Sequence, residues 1–430
     1  MQNDNGKYIL RVSSDFPIPR ITKILSKYNW RLLVSPENSS TILTLDYLLE
    51  NQNQNQESSL QKLSNSSQLK PFNYASINCS LSGGVSSSSI HSGLFHETIE
   101  KVYISHLNSI FEASPSQNQE LFQNIPWSCN TLGKVVALDL AITKTKPYIE
   151  MTYTPFHSKK MFIEHLFKVM SQNYSQEDYF LDAILFTSQS GVIMEGISVN
   201  EIYKKRYNPI NRFYKPFFYK HVEKILKNGK IVTEVIPSSH YFQRYSRSFF
   251  WQLENIIPYC NFFPFRFLFG WMLPLKIPLL KLTESKYTKS FFRNEYANQN
   301  IIIPLNHLEE LLNILDEVCI YPLWICPIRT SRTSNQGLVN LTSNEFYINV
   351  GIYGPLNENL DFQTIFQTIN KFVLEKRGYL GIGSDFAQMS RDDFGKMFNH
   401  SIYNILRKEM SFEESSSNDL YDKLLKKYWQ

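Results

Sequence analysis

Residues 240–282 read HYFQRYSRSFFWQLENIIPYCNFFPFRFLFGWMLPLKIPLLKL. No other stretch limits the possible folds as much. A helix that crosses a bilayer needs roughly 18 to 20 consecutive apolar residues with few or no charges. Arg266 and Lys276 interrupt every such window, and Pro258, Pro264, Pro274 and Pro278 break any long helix. The segment is therefore apolar without being a membrane span. Two destinations stay open. One is the interior of a large domain, where most aromatics end up. The other is the wall of a pocket, or a membrane-touching mouth, for a bulky apolar ligand.

The rest of the composition narrows the class. A chain of 430 residues accommodates two or three domains. Hydrophobic residues make up 43% and aromatics 14%, enough for a real core, which excludes global disorder. The net charge is only +5 and the lysines are scattered, so the clustered basic stripe of a nucleic-acid binder is missing. Five cysteines (Cys79, Cys129, Cys260, Cys319 and Cys326) show no paired spacing, which argues against a disulfide framework. Neither CxxC nor HExxH occurs, so no metal site is expected. The polar opening MQNDNGKYILRVSSD contains no signal peptide and no anchor.

Along the chain, residues 7–12 and 31–35 read as strands around a helix at 19–28, a β-α-β opening. Residues 51–67, NQNQNQESSLQKLSNSS, are polar and of low complexity, and read as an exposed insertion loop. Strands are expected at 102–107 and 134–142, with a short helix and a Pro-Trp turn between them. Residues 144–160 mark the candidate boundary between a domain at 1–150 and one at 151–430. In the second part, Leu308, Leu311, Leu312, Leu315 and Val318 share one helical face, as do Phe362, Ile365, Phe366, Ile369, Phe372 and Val373, with Gly378 as the expected cap. Strands are predicted at 319–328 and 345–351, and Ser390 with Asp393 resembles a capping box. The order of elements argues for an α+β fold with helices on one face of a sheet.

Three constellations have chemical potential. The loop SGGVSSSS, containing Gly83, Gly84, Ser87 and Ser88 and followed by Gly93, has backbone N–H groups and hydroxyls suited to phosphate or carbonyl oxygens. It is neither GxGxxG nor a P-loop, and an ordinary surface loop explains it equally well. The corner PWSCNTLG, containing Trp127, Cys129, Thr131 and Gly133, suits a flat ring or simply a packed turn. Arg247 in YSRSFFW and Tyr353 in VGIYG offer a cation and a phenol, groups that also serve ion pairing and packing.

Longer blocks carry a family resemblance: YKPFFYKHVE (214–223), YSRSFFWQLENIIPY (245–259), FRFLFGWMLPLKIPLLKLT (265–283), YPLWICPI (321–328) and FYINVGIYG (346–354). Together they resemble the delta(24)-sterol reductases, FAD-linked oxidases of the vanillyl-alcohol oxidase fold. The resemblance implies a partial PCMH-type FAD-binding domain at 1–150, followed by a substrate domain with a mainly antiparallel sheet. It implies FAD at the Gly83 loop and Trp127 corner, which should lie together, and NADPH as electron donor. The sterol substrate would lie against Phe250, Trp251, Phe269, Trp271 and Trp324. Tyr353 would act as the acid or its relay, with Arg247 polarising the flavin or the acid. An endoplasmic reticulum membrane location, with peripheral contact, is the matching expectation.

Four departures from the family pattern stand out. The chain starts where the family's second flavin subdomain starts, without an upstream anchor or first subdomain. The glycine of the family's C-G-T-L-G is Asn130, which adds bulk beside the expected ring. The family's E-L-V-L-A-D-G reads YISHLNS (103–109), and the tyrosine of its L-Y-A-D is Gly383. Two functions therefore compete: a sterol-reducing flavoenzyme, and a non-catalytic relative that binds a sterol or other lipid without flavin.

Overall fold

Segments rich in β-branched and aromatic residues pair into two sheets, because those side chains pack well on a pleated surface. The computed structural model describes residues 8–13, 18–26, 29–34, 81–106, 109–173, 178–202, 206–273, 296–330, 337–342, 345–356, 362–381, 389–410 and 419–429. The first sheet contains β1 (Tyr8–Ser13), β2 (Trp30–Leu32), β3 (Ile99–His106), β4 (Ser109–Ala113) and β5 (Lys134–Lys144), in the order β1-β5-β3-β4 with β2 also on β5. Its pairings are antiparallel. The predicted β-α-β opening is present around α1 (Ile18–Ser26), but β1 and β2 each pair with β5 rather than with one another. The expected insertion at 51–67 lies outside the described residues.

Between Lys144 and Tyr148 the chain enters a second sheet. Its strands are β6 (Tyr148–Phe156), β7 (Tyr179–Leu185), β8 (Gly191–Val199), β9 (Arg206–Tyr207), β10 (Val232–Pro237), β11 (Tyr296–Pro304), β12 (Leu323–Arg329), β13 (Phe346–Pro355) and β14 (Tyr379–Leu380). They run in the order β14-β11-β13-β12-β7-β8-β6-β10-β9. Every pairing is antiparallel except β9 with β10.

Side chains alternate between faces along a strand, so the register sorts this sheet into two chemistries. One face carries the aliphatic row Ile301, Val350, Ile325, Ala183 and Ile193. Three helices cover it: α4 (Lys159–Asn173), α9 (Leu308–Val318) and α10 (Phe362–Glu375). His165 of α4 reaches Glu195 at 3.7 Å, Lys159 pairs with Asp316 of α9 at 2.6 Å, and Lys376 pairs with Glu310 at 2.7 Å. The opposite face carries Asn300, Gly351 and Trp324 in one row and Ile302, Asn349 and Cys326 in the next. Polar groups in the middle of a buried sheet need partners or a ligand, so this is the face to follow.

Helices on that side and around the first sheet are α2 (Ser89–Ser92), α3 (Gln119–Asn124), α5 (Phe218–Asn228), α6 (Ser238–Tyr241), α7 (Gln252–Ile256) and α8 (Phe263–Phe269). The C-terminal end adds α11 (Arg391–Met397), α12 (Ser401–Glu409) and α13 (Leu420–Trp429). The fold is α+β.

The predicted stripe of α9 is buried at all five positions. The strand expected from residue 319 starts only at Leu323, because Cys319 ends α9 in the left-handed region with φ 54°. At the end of α10, Arg377 rather than Gly378 takes the left-handed conformation (φ 53°). Gly378 is needed for another reason: a Cβ there would lie 2.6 Å from the Ile302 carbonyl. Ser390 caps α11, its Oγ accepting from the Asp393 N–H at 3.1 Å.

Candidate functional site

The glycine-serine loop is not a surface loop. Residues 81–90 are all buried, and the loop is hydrogen-bonded to the second sheet and to the segment just after β2. The Leu181 N–H donates to the Ser87 carbonyl at 2.8 Å, the Cys326 thiol to the Ser86 carbonyl at 3.1 Å, and the Phe95 N–H to the Gly84 carbonyl at 2.8 Å. Tyr241 Oη donates to Ser87 Oγ at 2.8 Å, and Ser88 Oγ donates to the Leu33 carbonyl at 2.6 Å. The hydroxyls of Ser87 and Ser88, expected to face a ligand, thus hold the loop in place. Ser82 Oγ, which the sequence did not single out, is buried and has no partner among the described residues. Gly93 takes φ 71°, and a Cβ there would meet the Glu97 carboxylate at 2.6 Å.

The Pro-Trp corner is held in an unusual backbone. Trp127 (φ 69°), Cys129 (φ 51°), Asn130 (φ 62°) and Gly133 (φ 90°) all lie in the left-handed region. Glycine and asparagine are the residues that tolerate this conformation best, which explains the exchange. Asn130 Oδ1 also accepts from the Val135 N–H at 3.2 Å. Thr131 Oγ1 donates to the Ser128 carbonyl at 2.6 Å and accepts from Tyr403 Oη at 2.7 Å.

Loop and corner meet at Trp127, which is buried. Gly83 takes φ 92°, and a Cβ on it would lie 2.8 Å from Trp127 Cη2 and 3.6 Å from Gly381 Cα. No side chain fits at this point, so the glycine is required. The indole N–H of Trp127 is buried and has no partner among the described residues. On another side the ring packs against Tyr379 and Phe398, with centroids 6.4 and 5.9 Å away. These two residues help line a polar cavity of about 470 Å³ with Asn340, Asn399, His400 and Asn404.

From Gly381 the contacts lead across the sheet. The Gly381 N–H donates to the Asn300 carbonyl at 2.8 Å, and Tyr353 Oη donates to Asn300 Oδ1 at 2.6 Å. The Tyr353 ring lies 5.2 Å from Phe250 and 6.0 Å from Trp251, whose indole N–H donates to the Tyr353 carbonyl. Phe250 in turn lies 4.9 Å from Trp324. Phe249 (φ 46°) and Phe250 (φ 63°) are left-handed, a strained state for bulky residues of the kind that collects at functional sites. In the row beside Gly351, the Asn349 side chain is 0% exposed, and neither amide atom has a partner among the described residues.

A carboxylate anchors the aromatic cluster. Asp182 Oδ2 accepts from Arg244 at 3.0 Å, from Tyr245 Oη at 2.8 Å and from Trp324 Nε1 at 3.2 Å. The Arg244 guanidinium is caged by the rings of Tyr241, Tyr245 and Phe218, at 4.2, 4.8 and 5.7 Å. Nearby, burial pushes the Glu234 carboxyl up, but hydrogen bonds from His221, Asn208 and Tyr153 outweigh it and hold its pKa below the ordinary value.

Burial raises the Tyr353 phenol far above its ordinary pKa, against a smaller lowering by Asn300. The phenol therefore keeps its proton at physiological pH. Burial, helped by the charge of Arg31, pulls His91 in the loop down to about 4. Arg247 drops to about 10, through burial and then the charge of Arg266.

The structure brings Gly83, Trp127, Tyr353, Phe250, Trp251 and Trp324 into one connected set. It does not bring Arg247 there. That guanidinium donates to the carbonyls of Arg212 (2.9 Å), Phe213 (2.7 Å) and Lys215 (3.1 Å), so it ties down a loop instead of polarising a reacting group. Nor does it bring Phe269 or Trp271, which lie at the surface, 44% and 69% exposed. The sequence reading missed Asn300, Asn349, Gly381 and Asp182. For Asn349 and Asp182 the signal was present: single polar residues inside otherwise apolar strands.

No family model matches the chain. Among curated proteins, the delta(24)-sterol reductases of Macaca fascicularis and Homo sapiens are each 31% identical to it over 432 residues, covering 99% of this chain and 76% of theirs. The delta(24)-sterol reductase of Arabidopsis thaliana is 27% identical over 355 residues, covering 76% of this chain and 63% of its own. A likeness that runs through the loop, the corner and the aromatic cluster alike puts this chain in the delta(24)-sterol reductase family.

Proposed function

We propose that the chain is an FAD-dependent oxidoreductase that reduces the side-chain double bond of a sterol with electrons from NADPH. Residues 1–150 form the partial FAD-binding domain in this reading, residues 151–430 form the substrate domain, and the protein works at the endoplasmic reticulum membrane. One observation carries the reading. Two glycines and a buried tryptophan converge beside buried polar atoms that have no partner among the described residues, namely the Trp127 indole N–H and, across the sheet, the Asn349 amide. Unsatisfied buried groups are costly unless a ligand satisfies them.

FAD, when bound, supplies the hydride. The protein's own contribution is positional. Gly83 lets the Trp127 ring lie against the backbone, Gly381 does the same for Asn300, and Trp127 offers a planar wall. Trp127 Nε1, Asn349 and Ser82 offer hydrogen bonds. Phe250, Trp251 and Trp324 present an aromatic wall that suits an apolar tail and keeps water out. An isolated trisubstituted alkene accepts hydride only as a proton reaches its less substituted carbon. Tyr353, always protonated and oriented by Asn300, keeps a proton beside that wall. Its raised pKa makes it a relay and not a strong acid on its own. With no dinucleotide fingerprint in the sequence, NADPH shares the ring site in this reading.

The test combines a spectrum with an assay. The purified chain, supplied with FAD, should absorb as a flavoprotein and convert a sterol with a delta-24 double bond to the saturated product when NADPH is added, read by mass spectrometry. A folded protein that stays colourless yet binds the sterol would overturn the enzyme reading in favour of a non-catalytic binder.

A further inference from the structure

The polar cavity lined by Tyr379 and Phe398 has no part in the reductase reading. Its volume is about 470 Å³, and Trp127 does not reach its wall. One side is the loop around Asn340 with Tyr379 of β14, and the other is the turn that joins α11 to α12. Hydrogen bonds fix both sides. The Asn399 N–H donates to the Leu338 carbonyl at 2.9 Å. Tyr379 Oη donates to the Asn340 carbonyl at 3.2 Å and accepts from the Asn340 N–H at 3.1 Å. Asn399 Oδ1 accepts from the Ser401 N–H at 3.1 Å. The walls are therefore set before any ligand arrives.

A glycine that packing does not require keeps the cavity open. Gly395 lies within α11, and glycine is a poor helix former. At Gly83, Gly270 and Gly378 a Cβ would strike a neighbour, whereas at Gly395 it would meet nothing within 4 Å. A side chain at 395 would stand in that open space.

The polar groups of the lining share one property. His400, Ser401 and Asn404 lie at i, i+1 and i+4, on one face at the start of α12. His400 Nε2 is buried and has no partner among the described residues. Burial lowers the pKa of this ring, against a smaller effect of Asp419, so the imidazole is neutral at physiological pH. A neutral imidazole, a hydroxyl and a carboxamide can each donate and accept. Phosphate oxygens only accept and ammonium groups only donate, whereas hydroxyl groups do both. Charge points the same way. Lys396 is the lining's cation and no acid lines the cavity. Lys396 pairs with Asp393 at 3.1 Å, and Asp419 pairs with Arg391. The half-buried Tyr379 ring adds a flat surface for C–H groups.

We propose that this cavity binds a neutral pyranose sugar, with its hydroxyls on His400, Ser401 and Asn404 and its C–H face on Tyr379. The site is separate from the reaction that the interior performs.

Saturation-transfer NMR on the full chain tests this. The probes are the methyl glycosides of glucose, mannose and galactose, with inorganic phosphate and AMP as charged competitors. At least one glycoside should bind saturably, and neither competitor should displace it. Gly395→Leu should be at least as stable as the wild type in thermal melts and lose at least about tenfold in affinity. Asn404→Ala, at an exposed position, should melt at the wild-type temperature and lose about threefold to tenfold. A hexyl glycoside that binds more tightly than its methyl parent assigns the site to a sugar carried on a lipid, and equal binding assigns it to a free sugar. Three results would overturn the proposal: no glycoside that binds the wild type, a folded Gly395→Leu variant that binds as well as the wild type, or a glycoside that phosphate or AMP displaces.

Discussion

One continuous aromatic block has two opposite fates. From Tyr241 to Leu253 it turns inward: Tyr241, Tyr245, Phe249, Phe250 and Trp251 are buried around a caged arginine. From Tyr259 to Trp271 the same kind of residue faces outward. Hydrophobicity does not separate the halves. What separates them is the treatment of their polar groups. In the inner half, Arg244 finds Asp182 and the Trp251 indole finds the Tyr353 carbonyl. In the outer half, Arg266 donates to the carbonyls of Tyr214 and Asn261 and so is turned away from the outer face of its helix.

The contrast breaks most readily at Arg244. Removing one member of a buried ion pair leaves the other charge uncompensated, so Arg244→Ala should cost about 3–5 kcal/mol in urea unfolding; a cost like that of a surface change would mean that the inner half is not organised by this pair. The second probe is pH. His91 sits on the loop that Tyr241 locks through Ser87, and its folded pKa of about 4 lies below the value of 6.5 for an ordinary histidine. The unfolded chain therefore binds more protons between these values, and stability should fall as pH drops from 6.5 toward 4. The loss should reach up to about 3 kcal/mol, since one unit corresponds to about 1.4 kcal/mol. His91→Gln should flatten that part of the pH profile in thermal melts.

Smaller effects sharpen the contrast. Tyr353→Phe removes a donor from a buried amide and should destabilise by about 1–3 kcal/mol. In the sterol assay it should slow turnover about a hundredfold, as expected when a positioned proton is lost; full turnover with bound flavin would remove Tyr353 from the chemistry. At the other end, Trp271→Ser should change stability by less than about 0.5 kcal/mol. A large loss there would mean that the outer half is part of the core after all.

Much of this architecture was legible in the sequence. The stripes of α9 and α10 follow from spacing alone; β5 and β13 were recognisable as strands, but the alternation expected for β5 is replaced by a buried run from Leu138 to Ile142, and β13 is buried almost throughout. The Gly83 loop and Trp127 corner were recognisable as a pair, and they touch. Three things were hidden, each for a physical reason. A glycine- and serine-rich loop reads as exposed by composition, yet here its hydroxyls replace the usual partners of a buried backbone. Asn300 and Asn349 are short polar interruptions of apolar strands, and only the register shows that they share a face with Trp324 and Tyr353. The direction of Arg266 depends on carbonyls some fifty residues away in sequence, at Tyr214.

The load on Asp182 is lopsided: one oxygen accepts three hydrogen bonds and the other, among the described residues, none. Charge drawn to a single oxygen makes the two C–O bonds unequal in length. The symmetric and antisymmetric stretches of this carboxylate should then lie further apart than those of a solvated aspartate, giving isotope-edited infrared spectroscopy a built-in reporter at the centre of the aromatic cluster.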